Sequence, residues 1–359
     1  MKELRVIKII VAILIVTLSS GLCVSCDDTN QNEDIDQPYE IPEYDFSPKE
    51  NIVDDRQYYS GIDEVQFPNQ LWDTPAFERA TQYDRQDQGV EAYFLQSVPY
   101  NDAPTHVFAY VGIPSIATKD NPVPGVVLIH GGGGTAFYDW VKMWNDWGYA
   151  AIAIDTEGRI PSESANLNSA SDLAFESIMH HGPSNTNYGD YAKPANEQFI
   201  YHAIAGTIVA NSFLSSFEQV DSRKIGLTGI SWGGVIATNA VAYDDRFAFA
   251  APVYGAVAMA GTSGIFGTLY DTYPRCSFLW DNVEMLRNCR TPILFINWKG
   301  DPYFAVDATE ICANTALNAG MILIPELQHG HLQGANIQEI FIFANNATAA
   351  RYASCQGEN

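Results

Sequence analysis

Residues 224–234 read Lys224-Ile225-Gly226-Leu227-Thr228-Gly229-Ile230-Ser231-Trp232-Gly233-Gly234. A short apolar run enters a Gly-x-Ser-x-Gly pentapeptide, and residues 233–243 beyond it have the composition of a helix. A serine on a sharp strand-to-helix turn has its hydroxyl pushed clear of the backbone, and glycines on either side leave space that side chains would fill. The pentapeptide alone is a weak signal, so the strand before it and the helix after it carry the reading. Ser231 is therefore the expected nucleophile. A serine hydroxyl attacks a carbonyl only when a base takes its proton and a third group holds that base in place.

In this architecture the acid and then the histidine follow the serine along the chain. Of seven histidines only His329 and His331 lie beyond Ser231; His106, His130, His180, His181 and His202 precede it. His329 follows the strand-like run 321–325 after a short connection and is the expected base, with His331 as the alternative two residues on. The run 293–297 ends in Trp298-Lys299-Gly300-Asp301-Pro302, which puts Asp301 just past a strand end, where loops build sites in open α/β sheets. Asp301 is the expected acid; Asp307 falls inside a predicted helix, and Asp244 and Asp245 come too soon after the nucleophile. The oxyanion of an acyl-transfer reaction needs pre-aimed backbone donors. His130-Gly131-Gly132-Gly133-Gly134 follows a buried strand-like run and precedes a helical one, so the amides of Trp232 and of Gly131 or Gly132 are the expected donors. The segment lacks the Lys-Ser/Thr ending of a phosphate loop.

The rest of the chain supports a sheet enzyme. Residues 89–98 and 105–113 alternate as antiparallel strands do, joined by a Pro/Asn/Asp-rich turn. The runs 125–129, 149–154, 224–227, 247–253, 292–297 and 320–325 are continuously apolar, the pattern of strands buried on both faces. Helical segments are expected at 137–147, 197–218, 233–243, 305–318 and 335–350. This order predicts an α/β fold with a mostly parallel central sheet flanked by helices. Two stretches, 158–194 and 255–290, have no clean period and read as insertions of the kind that form lids or binding loops. Residues 51–88 read as an N-terminal extension packed on a catalytic domain at 89–359.

The glycine loop with Thr135-Ala136-Phe137-Tyr138-Asp139-Trp140, the serine turn, and Gln328-His329-Gly330-His331 together resemble the α/β-hydrolase superfamily. Within it they are similar to the acetyl xylan esterase and cephalosporin-C deacetylase-like branch, related to dienelactone hydrolases, over about residues 90–350. The resemblance implies a serine esterase, and in that branch the first histidine of a His-Gly-His segment is the base, which corresponds to His329. Related chains often continue with further glycine and proline, whereas Leu332-Gln333-Gly334 follows here. The activity implied is deacetylation of a plant-type polysaccharide such as xylan. Peptidases and glucuronoyl or aryl esterases use the same scaffold, and a glycan-binding lipoprotein without turnover is the reading from a different class. No cofactor is implied, and no Cys/His spacing suits zinc.

Charge sets the partners. With 43 Asp+Glu against 19 Lys+Arg the formal charge is -24, which disfavours nucleic acid and anionic lipid surfaces and leaves neutral or cationic substrates open. The first 25 residues differ, holding Lys2, Arg5 and Lys8 against Glu3. The apolar run at 9–18 is about ten residues, short of the ~20 that span a bilayer, as in a signal peptide. Residues 19–26 resemble a bacterial lipoprotein signal, with Cys26 as the acylated residue, and Cys23 would be lost with the signal. Residues 26–50 form an acidic tether of nine acidic residues and one Lys, similar to the export signal of surface lipoproteins in Bacteroidetes. The expectation is an exported outer-membrane or cell-surface lipoprotein of a Gram-negative bacterium, touching the membrane only through its lipid. Cys276, Cys289, Cys312 and Cys355 remain, and in an oxidising compartment one or two disulfides are expected, Cys276 with Cys289 first.

Overall fold

The computed structural model describes residues 65–169 and 175–356. The signal segment, Cys26, the acidic tether and residues 51–64 lie outside the described residues. The first three strands of the described residues are β1 (Phe77–Arg79), β2 (Val90–Tyr100) and β3 (Ala103–Gly112), all antiparallel to their neighbours. The doubly apolar runs follow as β4 (Val123–Ile129) and β5 (Ala150–Ile154). A small separate hairpin, β6 (Arg159–Pro161) with β7 (Phe175–Ser177), comes next. The series ends with β8 (Val220–Ile230), β9 (Ala250–Val253), β10 (Ile293–Asn297) and β11 (Ala319–Leu323). One nine-stranded sheet takes the order β1-β2-β3-β5-β4-β8-β9-β10-β11. From β5 to β11 all neighbours are parallel.

The burial of these strands explains their composition. Every residue of β5, β9 and β10 is buried, so polar alternation is absent from them. The helices are α1 (Tyr138–Asp146), α2 (Phe199–Leu214), α3 (Trp232–Tyr243), α4 (Ile265–Thr272), α5 (Pro274–Trp280), α6 (Val306–Thr315), α7 (His331–Ala335) and α8 (Gln338–Gln356). Helix α1 meets α8 through Trp144 and Phe341, whose ring centroids are 4.5 Å apart, and α2 packs against α3. Among the described residues no helix is long and apolar enough to cross a membrane.

Every residue of α2 is buried, as its mostly apolar sequence with no charged residue allows. Residues 65–80 supply part of that cover. Phe67 stacks on Tyr201 at 4.5 Å, the Tyr201 hydroxyl donates to the Gln66 carbonyl at 2.8 Å, and the Ser212 hydroxyl donates to the Leu71 carbonyl at 2.6 Å. Phe77 of β1 lies 4.9 Å from Phe213. This segment is therefore more than an extension resting on the domain: β1 is a strand of the main sheet.

Two expectations need correction. The stretch 255–290, expected as irregular, contains α4 and α5; both are short, and buried residues on several sides of α5 (Cys276, Leu279, Trp280) remove the amphipathic period. Cys276 and Cys289 form no disulfide with each other; each is a buried thiol, and the Cys289 sulfhydryl donates to the Val241 carbonyl at 3.4 Å. Burial pushes the Cys276 thiol up to about 12.

Candidate active site

Parallel strands deliver their following loops to one edge of the sheet, and that edge collects the chemistry. The glycine loop follows β4, Asp155-Thr156-Glu157 follows β5, Ser231 follows β8, Tyr254 follows β9, Asp301 lies beyond β10, and His329 lies beyond β11.

Ser231 stands between β8 and α3 at φ 58° and ψ -117°. A non-glycine residue there stores roughly 1–3 kcal/mol of strain, which the surroundings must hold in place. The hold is backbone: the Ser231 amide donates to the Val253 carbonyl at 2.9 Å, and its own carbonyl accepts from the Gly234 amide at 2.8 Å. The turn is tight enough to need its glycines. A Cβ on Gly229 would lie 2.0 Å from the Gly233 carbonyl oxygen, and one on Gly233 would lie 2.1 Å from that of Ile129.

The Ser231 Oγ is 2.9 Å from His329 Nε2, and His329 Nδ1 is 2.7 Å from Asp301 Oδ2. With Nδ1–H donating to the carboxylate, Nε2 is left to accept the serine proton. The Asp301 side chain is wholly buried and the imidazole is 15% exposed. Asp301 Oδ1 also accepts the amides of Tyr303 and Phe304 at 2.9 and 2.8 Å, and Oδ2 accepts the Trp298 indole N–H at 3.2 Å. Four donors thus offset the cost of burying this carboxylate. Tyr254 packs on the imidazole at 4.4 Å between ring centroids, and its hydroxyl donates to the Gln328 carbonyl at 2.6 Å, which ties down the loop carrying the base. Asp307 lies at the start of α6, where its carboxylate accepts the Ala308 amide, and Asp244 pairs with Arg246 at 2.7 Å. His202 is buried in α2 with Nε2 3.0 Å from the Asn196 carbonyl.

The glycine loop separates the two expected donors. The Gly131 amide donates to His331 Nε2 at 3.0 Å, so it is not available to an oxyanion, and Gly131 is corrected on that ground. The same contact shows where His331 points, which is into the loop instead of at Ser231. The Gly133 amide donates to Glu157 Oε1 and the Gly134 amide to the Gly131 carbonyl, each at 3.0 Å. Among the described residues, the amides of Gly132 and Trp232 make no hydrogen bond, and both residues line the cleft that contains Ser231.

That cleft has a volume of about 470 Å³. One wall is polar, formed by Glu157, Arg159, Asn185 and Asn187; the other is aromatic, formed by Phe266 and Tyr303. Glu157 and Arg159 are paired at 2.8 Å. The insertions meet through a direct contact between the hydroxyls of Tyr188 and Tyr270, and Tyr188 also packs against Trp232 of α3 at 5.0 Å. Of the aromatic residues near the motifs, Trp140 is buried and does not line the cleft, whereas Trp232, itself buried, and Tyr303, 39% exposed, both do. A second cleft of similar volume, beside Asp245, Met285 and Cys289, contains none of Ser231, Asp301 and His329. Among the described residues no group of three or more His, Cys, Asp or Glu is arranged to hold a metal ion.

Sequence reasoning missed Glu157, Arg159, Asn185, Asn187, Tyr254 and Tyr303. Glu157 and Tyr254 had a signal, since each comes just after a buried strand on the edge that carries the site.

The parallel sheet, the strained serine between strand and helix, and the acid and histidine beyond later strands define an α/β-hydrolase. The chain matches the acetyl xylan esterase (AXE1) family profile over residues 69–258, more than half its length, and belongs to that family. It is an ester hydrolase. Acetyl xylan esterase 1 from Thermoanaerobacterium sp. JW/SL YS485 superposes with a TM-score of 0.56 at 14% identity, covering 82% of this chain and 96% of that one. An acetyl xylan esterase from Paenibacillus sp. R4 gives 0.54 at 19% identity, covering 73% and 85%. These likenesses are likenesses of fold. No functionally curated protein matches the chain.

Proposed function

We propose that the protein is a serine esterase that removes acetyl or similarly small acyl groups from a plant-type polysaccharide such as xylan. The observation that carries this reading is the hydrogen-bonded series Ser231, His329, Asp301 beside the unpartnered amides of Gly132 and Trp232, in a chain of the acetyl xylan esterase family. Ser231 Oγ attacks the ester carbonyl as its proton passes to His329 Nε2, and Asp301 orients the imidazole and stabilises the imidazolium. The carbonyl oxygen becomes an oxyanion between the two amides, each donor of this kind contributing roughly 10²–10³-fold in rate. Collapse of the adduct breaks the bond to the sugar oxygen, which takes the proton from His329, and leaves the acyl group on Ser231. Water then attacks with His329 as base and releases the acid. A cleft with amide side chains on one wall and ring faces on the other suits a sugar, which offers hydroxyls at its rim and apolar C–H faces. A neutral glycan meets no repulsion from a chain of charge -24.

The basic start, short apolar run and Cys26 support an anchored lipoprotein at the outer membrane or cell surface. Incorporation of labelled palmitate that Cys26→Ala abolishes is expected, and an unlabelled wild-type protein would overturn the anchor. For the activity, acetylated xylan, acetylated pectin and host glycans are incubated with the enzyme in parallel and released acetate is measured. Release from xylan is expected. Cleavage of a prolyl peptide without acetate from any glycan would replace the reading with a peptidase, and failure of a fluorophosphonate probe to label Ser231 would remove the serine mechanism.

A further inference from the structure

The histidines of Gln328-His329-Gly330-His331 face different partners. His329 reaches Ser231, whereas His331, at the first residue of α7, turns to the glycine loop. Its Nε2 accepts the Gly131 amide at 3.0 Å, its ring packs against Phe137 with centroids 5.2 Å apart, and a Cβ on Gly134 would lie 2.7 Å from Nε2. The ring therefore fills the concave side of the loop. A nitrogen that accepts an N–H carries a lone pair, so His331 is neutral with its proton on Nδ1. Burial, with the nearby His130 and His329, holds its pKa down to about 4, in keeping with that state.

The loop has four glycine amides, and three are committed: Gly131 to His331, Gly133 to Glu157 and Gly134 to the Gly131 carbonyl. Gly132 is the one left facing the cleft. A run of glycines has little conformational preference of its own, so its peptide planes must be set from outside. We propose that His331 is a positioning residue: by taking the Gly131 amide it fixes the His130–Gly131 peptide plane, the anchor from which the next plane, held at the Gly131 carbonyl by the Gly134 amide and carrying the Gly132 N–H, is aimed at the oxyanion. This inference rests on the serine-esterase reading and adds a second function for the His-Gly-His segment, one histidine moving a proton and the other holding the donor strip.

The test compares His331→Leu, which keeps bulk and removes the acceptor, with His331→Gln, whose amide oxygen reaches the place of Nε2. Rates are measured on p-nitrophenyl acetate with active sites counted by fluorophosphonate titration. His331→Leu is expected to lower kcat about 10- to 100-fold with KM held within about threefold, since the lost interaction acts on the transition state. Inhibition by a small boronic acid, which forms a tetrahedral adduct with the serine, is expected to weaken by the same factor. His331→Gln is expected to recover kcat to within about fivefold of wild type. Equal losses in both variants, or a raised KM with kcat intact, would overturn the inference and leave the serine-esterase reading standing. A wild-type enzyme that turns over no acetyl ester would overturn both. Independently of how the variants fold, the imidazole nitrogens of the wild-type protein can be read by long-range 1H–15N correlation at pH 7: Nε2 of His331 is expected unprotonated, and a protonated Nε2 would also end the proposal.

Discussion

The short loops beyond β4, β8, β10 and β11 and the long insertions at 158–194 and 255–290 meet in one cleft, yet they are held in different ways. The short loops are held by their own backbone groups, which bond to other backbone or to side chains fixed at the sheet edge. The Ser231 amide is tied to Val253, the amides of Tyr303 and Phe304 close on Asp301, and the Gly134 amide folds back on Gly131. The insertions hang on side chains: Tyr188 on Tyr270 and Trp232, Tyr191 against Tyr273 at 4.7 Å, and the Trp280 indole N–H donating to Gln198 Oε1 at 2.8 Å. Atoms that make and break bonds need placement to fractions of an ångström, which the sheet provides; walls that sort substrates need only shape, which exchangeable side chains provide.

The largest effect that can test this division is at the serine. Ser231→Ala is expected to lower kcat on p-nitrophenyl acetate by about 10⁴-fold or more with the fold intact, and a variant retaining full activity would show that the backbone-held loops do not carry the reaction. Acid gives the next. His202 sits at the foot of the first insertion, where its Nε2 meets Asn196 and a Cβ on Gly182 would touch its ring at 2.9 Å. Burial lowers its pKa from 6.5 to about 4. The unfolded chain then takes up a proton that the folded protein refuses, so stability is full above pH 6.5 and is lost as pH falls toward 4, by on the order of 2–3 kcal/mol. Urea unfolding between pH 6.5 and 5, where carboxylates stay ionised, is expected to show this slope, and His202→Gln is expected to reduce it by about one proton. An unchanged slope would detach His202 from the acid response. The smallest effect is at the wall. Asn187 has φ 48°, which glycine accepts freely, so Asn187→Gly removes the amide without straining the turn. It is expected to raise KM on acetylated xylan several-fold while leaving p-nitrophenyl acetate turnover unchanged. A fall in turnover on both substrates would blur the line between loops and walls.

The same division decides what could be read in advance. The serine turn, Asp301 and His329 were legible because each follows a continuously apolar strand, and strand ends on one edge converge. The choice between Gly131 and Gly132 was not, because it depends on a contact with His331, 200 residues away in the chain. Nor were Asn185 and Asn187, which look like any other residues of a polar loop until Tyr188, the residue after them, is seen buried against Trp232. Helices α4 and α5, eight and seven residues long, are too short to show a sustained period, and α5 is buried on several sides as well. The expected Cys276–Cys289 bridge failed for a similar reason, since spacing says nothing about where two buried side chains point.

The cover that residues 65–80 give to α2 bears on how the protein can be handled. A chain trimmed to begin at residue 89 would keep every group of the cleft and still strip Phe67, Leu71 and Phe77 from a helix with no polar face. The bared surface around Tyr201 and Phe213 would be a contiguous apolar patch of the kind that drives aggregation. The boundary for a soluble, well-behaved preparation therefore falls ahead of residue 65, however far that is from the serine.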